Sequence, residues 1–169
     1  MPFDPQANDV LDIGRVTYSI AEHPYAPGIP YGQKGRQAIV YQLEAEDDSR
    51  RALKVLKPSY RLPFLVPLTD RLASLPELPG LLICDREVLS ANSHRELLDR
   101  HPDLTYAILM PWVAGPTWME VMVQKQVLDV EQSLTLARGL VQILAQLEGL
   151  SMAHCDLSGA NVLLPALNG

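Results

Sequence analysis

"HCDLSGANVLL", His154 to Leu164, sets an ionisable carboxylate, Asp156, and an amide oxygen, Asn161, five positions apart. The residues between them are small, the run behind is apolar, and a long helix-like stretch lies in front. Alone, a D-x-x-x-x-N spacing says little, because Asp and Asn serve turns and caps in many loops. Its weight depends on what lies upstream.

Directly upstream, Leu134, Ala137, Leu140, Val141, Leu144 and Leu147 recur at spacings of three and four. That stripe predicts a core-facing helix over Val130 to Leu147, with Gly149 as its stop. Asp129 with Gln132 forms a capping box at its start. Thr117 with Glu120 forms another, opening "WMEVMVQK", and Ser93 with Glu96 a third, opening "HRELLDR".

Toward the N-terminus the pattern turns to strands. "AIVYQLEA", Ala38 to Ala45, then the polar "EDDSR", then "RALKVLK", Arg51 to Lys57, predict a β-hairpin. Period-two geometry puts Ala52, Lys54 and Leu56 on one face and Leu53 and Val55 on the other. An isolated lysine in an apolar strand ordinarily marks an edge and points to solvent. "LTDRLASL", Leu68 to Leu75, predicts a short helix with Pro67 at its first position, and "GLLIC" and "LTYAILM" predict two further strands. Fourteen prolines, clustered at 24 to 30 and 58 to 79, argue against long elements there.

A chain of 169 residues, 47% hydrophobic and 20% charged, can bury one sizeable core or two small ones. The net charge of -6 argues against nucleic acid or an anionic membrane as partner, while leaving room for a local basic site for one phosphate. Cys84 and Cys155 have no paired spacing and read as reduced thiols, so a cytoplasmic setting is expected. "MPFDPQANDVLDIG" has neither the basic nor the apolar region of a secretion signal, and no run reaches the roughly 18 apolar residues of a membrane span.

Taken together, the His-Cys-Asp loop and its Asn resemble the catalytic loop of protein kinases, H-R-D-x-x-x-x-N in that family. Other parts lie upstream in order. "GQKGRQAIVY", from Gly32, resembles a glycine-rich phosphate loop, with Gly35 in the second glycine position and Ala38 in the third. "ALKVL" resembles the V-A-I-K strand and lands on Lys54, and "ILMPWVAGPTW" resembles the hinge. The resemblance implies an α+β, bilobal kinase-like fold: residues 1–111 as a β-rich lobe with an antiparallel sheet, and 112–169 as the start of a helical lobe.

It also implies ATP and Mg²⁺ as cofactors and a protein Ser/Thr hydroxyl as acceptor. Gly32 and Gly35 would lie on the phosphates, and Lys54 would bind the α- and β-phosphates. Asp156 would orient the acceptor hydroxyl and take its proton; Asn161 would give Mg²⁺ an oxygen. Met110 takes the gatekeeper position, with Pro111, Trp112 and Val113 beside the adenine. Val40 and Ala52 would form the ceiling of the adenine pocket and Leu163 its floor, although ordinary core packing fits these three equally.

The sequence also departs from the family. Cys155 stands where kinases usually carry the Arg that pairs with a phosphorylated activation loop, so the loop is of the non-RD type. Ser158 replaces the Lys that Ser/Thr kinases place on the transferred phosphate, which leaves the substrate class open. Small-molecule kinases such as aminoglycoside phosphotransferases share H-x-D-x-x-x-x-N, and a pseudokinase acting as a nucleotide-binding scaffold is a further alternative. The acid that should pair with Lys54 has one candidate in the first helix, Asp70, for which a solvated helix face is an equal reading. The connection from Asp85 to Asp103 is longer than usual. Kinases continue into a metal-binding D-F-G, whereas "PALNG" ends this sequence, so the chain is expected to be a segment of a longer kinase domain.

Overall fold

The structure, a computed structural model, describes residues 3–74 and 85–165. The described residues fall in two compact units, 3–74 with 85–112, and 113–165. The strand expected at "GLLIC" lies outside the described residues.

The first unit is an antiparallel sheet with short helices. Its strands are β1 (Val10–Ile13), β2 (Val16–Ile20), β3 (Glu22–His23), β4 (Ala26–Pro30), β5 (Gly32–Lys34), β6 (Ala38–Ala45), β7 (Arg50–Leu56), β8 (Glu87–Val88) and β9 (Ile108–Pro111). The main sheet runs β1-β2-β6-β7-β9-β8, and β3 pairs only with β4. The β6–β7 hairpin forms where β-branched and aromatic residues flank a polar turn, as the sequence predicts, with Val40 opposite Lys54 and Gln42 opposite Ala52. One edge of β6 is taken by β7; the other is divided between β5, opposite residues 39–41, and β2, opposite residues 43–45. Between those two partners the chain leaves the sheet as the β3–β4 hairpin. Its ends are tied together: Tyr31 N–H donates to Ala21 O, Ala21 N–H to Gln42 O, and Gln42 N–H to Tyr31 O.

Period-two geometry then selects the core. Leu11, Ile13, Tyr18, Ile20, Tyr41, Leu43, Leu53, Val55 and Leu109 share one buried cluster, joined by Leu97 and Leu98 of α2 (Arg95–Arg100). Each such side chain contributes about 1.5–3 kcal/mol of burial. The β1–β2 hairpin carries four of these residues and was not foreseen; its two-residue turn needs a positive φ, supplied by Gly14 at 63°. Lys54 is not on an edge, because β7 has β6 on one side and β9 on the other.

Tyr41 lies in this core with Phe3 edge-on at 5.9 Å. Burial, and secondarily the Asp4 carboxylate, raise its hydroxyl pKa above the ordinary 10.0. The unfolded chain therefore ionises first, so the contribution is whole below the ordinary value and is lost as pH rises through the raised one. Urea midpoints at about pH 9 and about pH 11 should fall less in Tyr41→Phe than in the wild type; equal falls would refute this.

The remaining elements of this unit follow local rules with three corrections. α1 (Leu65–Ala73) starts three residues before the predicted Leu68 and takes Pro67 inside its first turn, where the missing N–H has no helical partner to lose. α2 is capped at His94 without a side-chain bond: Ser93 Oγ instead meets Ser90 Oγ and His94 Nδ1, both at 2.9 Å. The strand expected from Leu104 begins only at Ile108, since Tyr106 is left-handed (φ 64°) and Leu104 closes a turn with Ala107.

In the second unit α3 (Trp118–Val123) and α4 (Val130–Gly149) begin at Thr117 and Asp129, and both capping boxes form as predicted. The stripe of α4 is not a core face. Leu147 is buried, but Leu134, Val141 and Leu144 are exposed. The helix ends at Gly149 as predicted, but the left-handed residue that follows it is Ser151 (φ 55°). Among the described residues no helix is long and apolar enough to cross a membrane.

Candidate functional site

The sequence-predicted site residues divide between the two units. In the first, cross-strand register decides which side chains share a face, because directly paired residues point the same way. Val40 pairs with Lys54, Lys54 with Ile108, and Ala52 with Met110. Val40, Ala52, Lys54 and Met110 thus lie on one face of three adjacent strands, opposite the face that buries Leu53 and Val55. Lys54 and Met110 are half-buried there. Trp112 follows β9; its N–H donates to Arg50 O and its ring meets that of Tyr31 at 5.4 Å. Asp70 is exposed in the second turn of α1.

The glycine-rich stretch forms the β5–β6 hairpin, and its two glycines differ. Gly32 faces Tyr41, and an added Cβ would stand 2.8 Å from that ring, so packing requires glycine here whatever the function. Gly35 begins the exposed tip, and its nearest neighbour to an added Cβ is Ala38 O at 3.4 Å. The tip is tied to a residue that sequence reasoning missed. Lys57 Nζ donates to Gly35 O (3.0 Å) and Arg36 O (2.6 Å), and Lys57 N–H donates to Gln37 O (2.9 Å).

In the second unit, Asp156 and Asn161 sit on an exposed loop built around a 3-10 turn, Gly159–Asn161. Asn161 Nδ2 donates to Asp156 O (2.8 Å), and Asn161 N–H to Ser158 O (2.9 Å). Holding the amide nitrogen leaves Asn161 Oδ1 turned away from that bond as an acceptor, the hard oxygen that Mg²⁺ takes. Among the described residues, no group of three or more His, Cys, Asp or Glu is placed to hold a metal ion. Cys155 is left-handed (φ 60°) and exposed, offering no cation at the position before Asp156.

The loop is anchored on the segment that opens α3. Trp118 N–H donates to Val162 O, Leu164 N–H to Pro116 O, and Thr117 bridges Leu163. Gly159 packs against Trp118, whose Cδ1 would lie 3.2 Å from an added Cβ. Gly115 (φ 134°) lets the chain pass Pro165 and Leu164, where a Cβ would come within 2.8 Å of Pro165 Cα. Val113 is half-buried and Leu163 exposed in this unit.

Chemically, the first unit offers a half-buried lysine on a sheet face shared with Val40, Ala52, Met110 and the buried Gln42, with the Lys34–Gln37 hairpin tip at one end of its strands. The second offers an exposed carboxylate with an amide oxygen held five residues on. A cation and loop amides suit phosphate oxygens, whereas a carboxylate beside a metal-grade oxygen suits a hydroxyl acceptor. No family model matches this chain, and no curated protein matches it.

Proposed function

We propose that the chain is the nucleotide-binding part of an ATP-dependent phosphotransferase of the protein-kinase type, passing the γ-phosphate of ATP to a protein Ser/Thr hydroxyl. The observation that carries this reading is the shared face of Val40, Ala52, Lys54 and Met110. An apolar patch takes a flat base, while one ammonium within it takes phosphate charge as a compact point cation. Protein kinases put that lysine on the third strand, after the glycine-loop hairpin; here β5, β6 and β7 form such a meander, with Lys54 on its third strand.

Asp156 would accept the proton of the acceptor hydroxyl and orient its oxygen. Asn161 would hold Mg²⁺ through its side-chain oxygen, and that ion would supply charge neutralisation at the phosphate. Pro111 and Trp112, at the end of β9, border the base. A second reading, a nucleotide-binding scaffold without transfer, draws support from the exposed Cys155 and Ser158, which leave the loop without its usual cations.

The test is thermal unfolding of the full-length protein with ATP, with and without Mg²⁺, followed by transfer from γ-labelled ATP to protein and to metabolite acceptors. Magnesium-dependent stabilisation with transfer to protein hydroxyls supports the proposal. Stabilisation without transfer favours the scaffold, and transfer to metabolites alone favours a small-molecule kinase. No stabilisation at millimolar ATP overturns nucleotide binding.

A further inference from the structure

We infer that Lys57 is a positioning residue that clips the tip of the β5–β6 hairpin so that its backbone amides face outward toward phosphate; this rests on the phosphotransferase reading above. Three consecutive carbonyls, of Gly35, Arg36 and Gln37, accept from the side-chain and backbone nitrogens of this one residue. In a trans peptide the carbonyl of one residue and the N–H of the next point in opposite directions. Turning those carbonyls onto Lys57 therefore turns the N–H groups of Arg36, Gln37 and Ala38 away from it. Among the described residues none accepts from the N–H of Arg36 or Gln37. Successive amides aimed the same way form an anion-binding concavity.

The arrangement also separates the work of two lysines three positions apart. Lys57 has its ammonium committed to carbonyl oxygens at the hairpin tip, while Lys54 stands on the sheet face with Val40 and Ala52. The Gly35 carbonyl, which would close an ordinary four-residue turn by accepting from Ala38 N–H, is instead held by Lys57 Nζ. Without the ammonium, the tip is free to close as such a turn, drawing the Ala38 amide inward. Gly35 N–H already donates to Ala38 O, so the rest of that closure is in place.

The test compares wild type, Lys57→Met and Lys57→Arg in the full-length protein. Amide hydrogen exchange at position 57, measured without nucleotide, reads the clip itself, because that amide bonds Gln37 O. Lys57→Met should exchange about tenfold faster at this amide, with Lys57→Arg between it and the wild type. Tm should stay within about 1 °C, because the residue is at the surface. The Kd for MgATP should weaken about tenfold in Lys57→Met and partly recover in Lys57→Arg. Unchanged exchange in Lys57→Met overturns the clip, whatever the nucleotide does. Faster exchange with unchanged MgATP affinity overturns the positioning role. A wild type that binds no MgATP, with exchange still faster in the variant, overturns the phosphotransferase reading and leaves the clip standing.

Discussion

Lys54→Met is expected to abolish the MgATP-dependent rise in Tm, while Asp156→Asn keeps the rise and loses transfer. At about a hundredfold excess of nucleotide over its Kd, a bound ligand stabilises by about 2.7 kcal/mol, which is a shift of about 5 °C or more for a chain of this size. If Lys54 acts on the nucleotide as proposed, its loss removes the shift. The methionine fills the same sheet face, between Val40 and Ile108, and the apo protein should unfold near the wild-type temperature. If Asp156 acts on the acceptor as proposed, losing this general base lowers transfer by about a thousandfold without weakening ATP. The two substitutions thus separate binding from chemistry in the full-length protein. An undiminished shift in Lys54→Met would remove the lysine from the site; undiminished transfer in Asp156→Asn would do the same for the carboxylate.

Gly115→Ala should be the most damaging small substitution in the second unit. The position has φ 134°, and an alanine Cβ would meet Pro165 Cα at 2.8 Å and Leu164 O at 3.0 Å. Backbone strain and backbone-to-backbone collision together cost about 3 kcal/mol or more. The damage falls where Leu164 N–H and Val162 O hold the segment after Asp156 and Asn161 to Pro116 and Trp118. Gly139→Ala is the control, because an added Cβ there meets nothing within 4 Å, and in a helix interior it should stabilise by about 0.5–1 kcal/mol. Urea midpoints of the two variants should move in opposite directions. If Gly115→Ala unfolds at the wild-type midpoint, the tight passage beside Pro165 is wrong.

What could be read from the sequence was the structure that neighbours determine. The β6–β7 hairpin was legible because strand propensity, alternation and a polar turn agree over Ala38 to Leu56. The Thr117 and Asp129 caps were legible because a capping box closes within four residues. The same pattern misled at Ser93, where a histidine one residue on and a serine three residues back took the hydroxyl. Periodicity showed that α4 has an apolar stripe, but it carries no information on what covers that stripe, and Val141 is 65% exposed. In the candidate site, the pairing of Val40 with Lys54 follows from the hairpin and was within reach of sequence reasoning. Lys57 was not, because its bonds to Gly35 and Arg36 span 22 and 21 residues, and a lysine after a strand looks like any surface cation. At Gly32 the bare Cα has a packing reason of its own, since an added Cβ would meet the Tyr41 ring across the ladder.

The divided edge of β6 makes the β3–β4 excursion a socket. Ala21 and Tyr31 are bonded to each other and to Gln42, so the sheet on either side is fixed before the excursion begins and after it ends. Loop-closure entropy grows only slowly with length, so a chain leaving and re-entering at clamped neighbours can be lengthened, shortened or replaced at small cost. Residues 22–30 are therefore where relatives should vary most freely, and where a reporter peptide can be grafted without shifting the register that seats Lys54.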